Sequence, residues 1–311
     1  MNYRTFGRLG WQVSDIGYGM WGMGGWTGSD DAESIASLDR AVELGCNFFD
    51  SALAYGNGRS DSLLGELVRR HPQRRLYTAT KIPPKNGQWP SRRGMPIVDV
   101  FPPEHIATSV KRSLEHSGLD QFDLVQFHVW EDDWARDERW HRAVDDLKAQ
   151  KLVGGIGISI NRWEPWNAVR TVRSGAIDAV QVIYNVFDQA PEDELFVATR
   201  EMDVAVIARV PFDEGSLTGT LTKESTWPQG DWRNTYFVPE NLGATVDRVE
   251  TLRKELPQGM TMPELALRFI LSNPSVSTII PGMRKRKNVE ANVAASDEGP
   301  LETELVARLR A

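Results

Sequence analysis

The sequence lacks several features that would commit it to a special class of protein. It has one cysteine, Cys46, so no disulfide can form within the chain. No stretch approaches the roughly 18 apolar residues of a transmembrane helix, and the first residues lack the apolar core of a signal peptide. The formal net charge of −7 disfavours a general nucleic-acid or anionic-membrane surface. We therefore expect a cytoplasmic protein that is held together by packing and binds neither nucleic acid nor membrane.

What the chain does contain is a regular alternation of strand and helix patterns. A hairpin is predicted over residues 3–14, and Ser29 and Asp30 are candidate caps of the first helix. The predicted strands cover 14–20, 46–50, 76–81, 122–128, 152–159, 178–185, 204–210 and 276–282. The predicted helices between them cover 29–45, 60–70, 102–118, 135–150, 162–175, 191–202 and 262–273.

Eight such alternations predict an α/β fold in which parallel strands, joined by right-handed crossovers, close into a (β/α)8 TIM barrel. No serine- or proline-rich linker divides the chain, so we expect residues 1–311 to form a single domain. The long stretches 81–101 and 211–242 follow strands, which places them over the C-terminal face, where such barrels build their active sites.

One motif indicates a different fold. The stretch GYGMWG at 17–22 matches the G-x-G-x-x-G fingerprint of a Rossmann dinucleotide site. A Rossmann turn opens directly into the helix that holds the pyrophosphate, whereas further loop residues, MGGWTG, come before the helix here. We therefore interpret this stretch as a βα loop.

Polar residues stand at the ends of the predicted strands, and four of them could together polarise a carbonyl group. An ammonium at Lys81 would favour the phenolate of Tyr55 and lower its pKa, and Asp50 would supply the counter-charge that a buried lysine needs. His128 could orient the carbonyl oxygen. No nucleophile beside a base and no metal-ligand spacing is evident, so we expect neither a covalent nor a metal-dependent mechanism. Taken singly, each residue also has an ordinary structural explanation.

Six segments, in this order and at these intervals, resemble the aldo-keto reductases: FDSALAYG, TATK, LVQFH, GIGIS, VQVIYN and IIPGMRKRKNVEANV. The resemblance implies a TIM barrel that binds a nicotinamide cofactor without a Rossmann fold. It implies that Tyr55 is the general acid, that Lys81 and Asp50 tune it, and that His128 orients the carbonyl. Hydride from the reduced nicotinamide would then reach the carbonyl carbon while Tyr55 protonates the oxygen.

The same resemblance implies a cofactor site. Gly282 and Arg284 match the segment that holds the adenosine 2′-phosphate at a helix start, and the basic neighbours of Arg284 favour NADPH over NADH. The residues expected to contact the cofactor are Gly19, Met20, Ser159, Asn161, Gln181, Arg209, Pro211, Leu217, Gly282, Arg284, Asn288 and Asn292.

The chain departs from the family pattern at several of these positions. Ile160 stands where an asparagine usually follows the serine, and Asn161 comes one residue later. Arg209 replaces an aromatic residue that stacks on the nicotinamide, although a planar guanidinium can also stack. Asn288 stands where the family often has an arginine or a glutamine, and Ala291 stands where it often has an acidic residue.

Several of the 11 tryptophans fall in predicted βα loops. Loop packing is the simple explanation for many of them. Trp21, Trp130 and Trp232 are predicted to line a substrate pocket, which would favour aromatic or apolar carbonyl compounds.

Two other functions remain open beside a reductase. A nucleotide-binding redox sensor or regulatory subunit with little turnover is consistent with the departures at Ile160 and Arg209. An epimerase or lyase acting on a sugar phosphate could use residues 282–287 as its anion site. Nucleotide binding separates the latter from the first two.

Overall fold

The computed structural model describes residues 1–25 and 30–310, and Ser29, one of the two candidate helix caps, lies outside these ranges. Its strands are β1 Tyr3–Phe6, β2 Trp11–Ser14, β3 Tyr18–Gly19, β4 Phe48–Asp50, β5 Tyr77–Ile82, β6 Phe122–Phe127, β7 Val153–Ser159, β8 Ala179–Ile183, β9 Ala205–Arg209 and β10 Thr278–Ile279. Its helices are α1 Asp31–Glu43, α2 Arg59–Arg70, α3 Ile97–Val100, α4 Pro103–Ser117, α5 Glu138–Ala149, α6 Val169–Arg173, α7 Leu195–Met202, α8 Arg233–Tyr236, α9 Pro239–Arg253, α10 Met262–Leu271, α11 Arg286–Glu298 and α12 Thr303–Arg310.

Eight parallel strands, β3 to β10, lie side by side in chain order. Backbone hydrogen bonds from Gly17 to Ile279 (2.7 Å) and from Gly19 to Pro281 (3.0 Å) join the first barrel strand to the last. The sheet is therefore a nearly closed barrel with helices around it, which confirms the predicted TIM barrel.

The predicted hairpin is confirmed, and it covers the amino-terminal end of the barrel. Strands β1 and β2 pair antiparallel. Phe6 on the hairpin stacks on Phe48 inside the barrel, with ring centroids 5.3 Å apart, and joins a buried cluster with Ala79 and Leu124 from the next barrel strands. This end of the barrel is filled with apolar side chains.

Local sequence signals account for the helix boundaries. Asp30 caps α1, since its side chain accepts a hydrogen bond from the backbone N–H of Glu33 (2.8 Å). Helix α4 begins with Pro103, whose missing N–H costs nothing in the first turn, and it ends at Gly118, which adopts the left-handed conformation (φ 66°).

The structure differs from the predicted elements in several places, of which three follow. The strand predicted over 14–20 is limited to Tyr18–Gly19. Of the helix predicted over 162–175, only Val169–Arg173 is helical, because Trp163 has a φ of 60° and Pro165 lacks a backbone donor. Helix α9 starts inside the stretch predicted as a loop over 211–242.

Candidate active site

The interior of the barrel changes character along its strands. One interior cluster contains the apolar residues Phe48, Ala79, Leu124 and Ala179. Because side chains alternate between the two faces of a strand, the residue two positions further points to the same side. Those residues are polar, and each is buried: Asp50, Lys81, Gln126 and Gln181. The carboxyl end of the barrel therefore holds a polar layer directly above an apolar one.

Lys81 is the centre of this layer. Its Nζ donates to Asp50 Oδ2 (2.5 Å), to the Ser51 carbonyl (2.8 Å) and to Tyr55 Oη (3.4 Å). Its side chain has no exposed surface, so the ion pair with Asp50 is fully desolvated. A buried ammonium that loses such a partner is left with an uncompensated charge, and this makes the lysine and the aspartate interdependent.

Asp50 is held by two further side chains. Its Oδ1 accepts hydrogen bonds from Gln126 Nε2 (2.9 Å) and Gln181 Nε2 (3.1 Å), and Gln181 also donates to Gln126 Oε1 (3.1 Å). These three side chains come from the alternate strands β4, β6 and β8, as in the layers that fill TIM barrels. Gln126 was not predicted as a site residue, although its place two residues before His128 on the same strand face was a usable signal.

The charges in this layer support a protonated lysine. Burial alone would lower the pKa of Lys81, but Asp50 and Tyr55 together outweigh it, and the pKa is raised above its ordinary value. The side chain is therefore an ammonium at neutral pH.

The pKa of Tyr55 does not follow the prediction. Lys81 does favour the phenolate, yet burial of the phenol is the larger effect, and the pKa of Tyr55 is raised above its ordinary value of 10. Tyr55 thus keeps its proton at neutral pH. It can donate that proton, and the nearby ammonium stabilises the phenolate that donation would leave.

His128 lies beside Tyr55. The two rings meet edge to face with centroids 5.5 Å apart, and Trp89 packs edge-on against the same imidazole at 4.6 Å. Burial, Lys81 and Arg209 lower the pKa of His128 well below 6.5, so its ring is neutral at pH 7 and carries one N–H donor. Its Nδ1 is buried without a hydrogen-bond partner among the described residues. Trp89 was not singled out as a site residue, and no pattern in the sequence indicated this contact.

Three of the residues predicted to contact the cofactor, Ser159, Gln181 and Asn161, are placed differently from one another. Ser159 ends β7 and is in register with Gln181, whose two N–H groups are used within the polar layer and whose Oε1 remains as an acceptor. Asn161 is instead tied into a loop network, donating to Ser91 Oγ (3.0 Å) and Glu131 Oε1 (3.0 Å). Both Ser159 and Gln181 lie at the barrel opening, whereas the amide of Asn161 already serves protein acceptors.

Arg209 ends β9, and the chain turns sharply after it. Its Nη2 donates to the Ile160 carbonyl (3.0 Å), and burial lowers the pKa of its guanidinium. The next residue, Val210, has a φ of 56°, which is an unfavourable conformation for a β-branched side chain. Pro211 and Leu217 follow in this turn, and both are buried.

Two segments that are distant in the sequence meet at the seam of the barrel, where its first and last strands pair. Gly19 and Gly282 form a parallel bridge, and a Cβ on Gly19 would lie only 2.5 Å from the Ile280 carbonyl, so this approach requires glycine. Met20, next to Gly19, is fully buried, and the Arg284 side chain passes next to Gly22.

A run of cations leads into α11. Lys285 is the residue before the helix, whose first turn contains no acidic side chain. None of the basic residues over 284–287 forms an ion pair with any residue in the described part of the chain. Asn288 is exposed, whereas Asn292 is buried and its Nδ2 has no partner among those residues. Uncompensated cations at a helix N-terminus, with an unpaired amide one turn further on, fit the phosphate and base of a nucleotide.

Two of the three predicted substrate tryptophans lie together. Trp21 meets Trp232 edge to face at 6.1 Å, and Trp232 packs on Tyr236 at 5.9 Å. The third prediction was wrong in its placement. Trp130 has no exposed surface, packs against Trp140 and donates its indole N–H to Thr171 (2.8 Å), so it belongs to the core and not to a pocket wall.

The chain matches the model of the aldo/keto reductase family over residues 15–311. It is 27% identical to the NADH-specific methylglyoxal reductase of Escherichia coli strain K12, over 91% of this chain and 90% of that protein. It is also 27% identical to a probable voltage-gated potassium channel subunit beta of Oryza sativa subsp. japonica, over 100% of this chain and 96% of that protein.

A solved structure is similar as well. An aldo-keto reductase from Bacillus halodurans, in its holo form, superimposes with a TM-score of 0.79 at 26% identity, covering 100% of this chain and 95% of that one. Among the residues described here, no helix is long and apolar enough to cross a membrane. The same residues include no group of three or more histidine, cysteine or acidic side chains arranged to hold a metal ion.

Proposed function

Because the chain belongs to the aldo/keto reductase family, we propose that it reduces an aldehyde or ketone to the alcohol, with Tyr55 as the proton donor. The family consists of oxidoreductases that act on carbonyl compounds with nicotinamide cofactors. The observation that carries the proposal is the buried Lys81 Nζ, which contacts Asp50 and Tyr55 at once.

The residues at the barrel opening would have the following roles in carbonyl reduction. The carbonyl oxygen accepts hydrogen bonds from Tyr55 Oη and from the neutral imidazole of His128. A bound reduced nicotinamide supplies the hydride. As negative charge grows on the oxygen, Tyr55 transfers its proton, and Lys81 stabilises the phenolate that forms. Asp50 holds Lys81 in place and balances its charge.

We propose NADPH as the preferred cofactor. One relative named above is NADH-specific, so the choice rests on this chain's own residues. Arg284 and the three basic residues after it offer several charges to a 2′-phosphate at the start of α11. Gly282 beside them is open on its side-chain face, since a Cβ there would meet nothing within 4 Å.

We propose an aromatic or apolar substrate. Trp21, Trp232 and Tyr236 form a continuous aromatic contact, and Trp21 is 46% exposed. Trp89, which is 48% exposed, adds a second aromatic surface next to His128. Aromatic walls with a few polar groups at the base are typical of sites for apolar ligands.

A second candidate function is a nucleotide-binding regulatory subunit with little turnover. One relative named above is a probable potassium channel subunit. The observation in this chain that favours it is Arg209, a cation where the family pattern has an aromatic residue. The complete set of Asp50, Tyr55, Lys81 and His128 favours the reductase.

The test measures binding and turnover on the same preparation. NADPH and NADH would each be titrated against tryptophan fluorescence, and nucleotide oxidation would then be followed with a panel of aromatic and aliphatic aldehydes. We expect tighter binding of NADPH and turnover with aromatic aldehydes. Arg284→Gln should weaken NADPH binding but not NADH binding, while Arg142→Gln, on the exposed face of α5, changes neither.

The outcomes separate the candidates. Tight nucleotide binding without turnover across the panel would favour the regulatory subunit. Equal affinity for the two nucleotides, unchanged in Arg284→Gln, would remove the argument for NADPH. Absence of binding to either nucleotide would contradict both functions.

A further inference from the structure

Three cationic side chains lie at the carboxyl end of the barrel, and two of them form ion pairs. Lys81 pairs with Asp50 at 2.5 Å, and Arg162 pairs with Glu214 at 2.6 Å. Arg209 forms no ion pair with any residue over 1–25 or 30–310. Glu214 and Asp50 attract Arg209 without contacting it, so its charge is not neutralised by direct pairing.

The position of Arg209 is set by its strand. Ala205 and Ile207 belong to the apolar cluster inside the barrel, and Arg209 continues the same face of β9 two residues later. Its side chain therefore points towards the axis of the barrel opening. Nη2 is used by the Ile160 carbonyl, but Nε is buried and has no hydrogen-bond partner among the described residues.

The charge of Arg209 reaches the reacting groups. It opposes the rise that burial causes in the pKa of Tyr55, and it adds to the lowering of the pKa of His128. Burial and Arg162 lower the pKa of Arg209 more than Tyr55, Glu214 and Asp50 raise it, but a guanidinium stays protonated in proteins. The charged side chains that act on Tyr55 are Lys81, Asp50 and Arg209, and those that act on His128 are Lys81 and Arg209. Because Asp50 is paired with Lys81, the charge of Arg209 makes the surroundings of Tyr55 and His128 more positive.

A nicotinamide ring is uncharged when reduced and carries one positive charge when oxidised. Hydride transfer moves a hydrogen nucleus with two electrons from the ring to the carbonyl carbon, Tyr55 gives its proton to the oxygen, and the products are the alcohol and the oxidised ring. Reacting atoms must approach to about 3–3.5 Å. The ring must therefore lie in the same opening as Tyr55, within the field of Arg209.

We propose that Arg209 makes this site bind reduced nicotinamide nucleotides more tightly than oxidised ones. This inference rests on the proposed function and adds that the site favours carbonyl reduction over alcohol oxidation. The oxidised nucleotide is repelled by an unpaired cation and leaves readily, so carbonyl reduction is inhibited little by its own product. Alcohol oxidation starts from the nucleotide that the site disfavours. A tenfold difference in affinity corresponds to about 30 mV for a two-electron couple.

The test compares dissociation constants of NADPH and NADP⁺, measured by quenching of tryptophan fluorescence, in the wild type, Arg209→Gln and Arg209→Lys. Glutamine keeps a donor for the Ile160 carbonyl but removes the charge, whereas lysine keeps the charge. Circular dichroism shows whether Arg209→Gln folds. If it does not fold, Arg209→Met is used instead to remove the charge. The titrations are repeated with NADH and NAD⁺, because the charge difference lies on the ring and not on the 2′-phosphate.

We expect the wild type to prefer the reduced nucleotide and the preference to fall about tenfold in Arg209→Gln. Arg209→Lys should retain most of it, and the NADH and NAD⁺ pair should show the same fold-change. A preference that is unchanged in both neutral variants overturns this inference while leaving the reductase intact. If the wild type binds no nucleotide, the proposed function fails and this inference with it.

Discussion

The two ends of the barrel are built from the same strands and differ in almost every physical respect. At the amino-terminal end, Phe48 and Leu124 are fully buried among apolar side chains under the hairpin. Two residues further along those strands, Asp50 and Gln126 are as deeply buried but belong to a hydrogen-bonded polar layer. One end therefore stabilises the fold by apolar packing, whereas the other holds buried charge.

The polar end also leaves groups unpaired. His128 Nδ1 and Arg209 Nε are buried without partners among the residues described. Buried polar groups without partners cost stability, and native proteins keep them mainly where something else requires them. The polar layer is therefore the place where we expect stability and activity to respond differently to substitution.

Replacing Lys81 should have the largest effect on the comparison. Lys81→Met leaves the carboxylate of Asp50 buried without its cation, so we expect the free energy of unfolding to fall by about 3–5 kcal/mol. Urea denaturation measures this. The control is Lys223→Met, which breaks an exposed ion pair with Asp247 and should cost no more than about 1 kcal/mol. Equal losses of unfolding free energy in the two variants would show that the buried ion pair stabilises the fold no more than the exposed one.

Leu124→Gln introduces a polar side chain into the apolar layer. It loses apolar burial and places an amide where no hydrogen-bond partner is present in the interior cluster, so we expect a loss of about 3 kcal/mol. Carbonyl reduction by the folded fraction should stay close to the wild-type rate. A large fall in kcat at full folding would contradict the separation of the two ends.

Gln126→Leu makes the reverse exchange two residues away. It removes a donor to Asp50 and the acceptor for Gln181, while the added apolar burial offsets part of the loss. We expect the free energy of unfolding to be about 1–2 kcal/mol lower than in the wild type and kcat/KM to fall about tenfold. If Gln126→Leu is more harmful to stability than Leu124→Gln, the polar layer contributes more to the fold than its chemistry suggests.

The smallest effect concerns pH. The pKa of His128 is lowered in the folded protein, so below about pH 6.5 the unfolded chain binds the proton more readily. The stability that comes from neutral His128 is complete above that pH and is lost as pH falls through it. Between pH 7 and 5.5 the wild type should lose about 1 kcal/mol more than His128→Gln. Parallel pH curves for the two proteins would mean that His128 is not held neutral.

Much of the fold was predictable because its signals are local. The alternation of strand and helix patterns and the caps at Asp30 and Gly118 all appear within short windows of sequence. Helix α9 was missed although Leu242, Val246 and Val249 are spaced as on one helix face. The limited strand at Tyr18–Gly19 could not be read from its own residues, since pairing at the barrel seam decides where it begins.

The candidate site was predictable as a set of strand ends, but its electrostatics was not. The side-chain types at Tyr55 and Lys81 predict opposing effects on a pKa, and only the depth of burial decides that the pKa of Tyr55 rises. Trp130 illustrates the same limit. A tryptophan after a strand is equally compatible with a pocket wall and a core, and its burial among other tryptophans came from tertiary packing.

Two tyrosines at opposite ends of the barrel test whether Tyr55 is the proton donor. Tyr55→Phe and Tyr77→Phe each remove one hydroxyl, at the polar end and beside the hairpin residue Trp11 respectively. Nucleotide affinity and the single-turnover rate of carbonyl reduction would be measured on both. We expect Tyr55→Phe to bind the nucleotide normally but to reduce the carbonyl at least about 100-fold more slowly, while Tyr77→Phe matches the wild type. A Tyr55→Phe rate within threefold of wild type would contradict it.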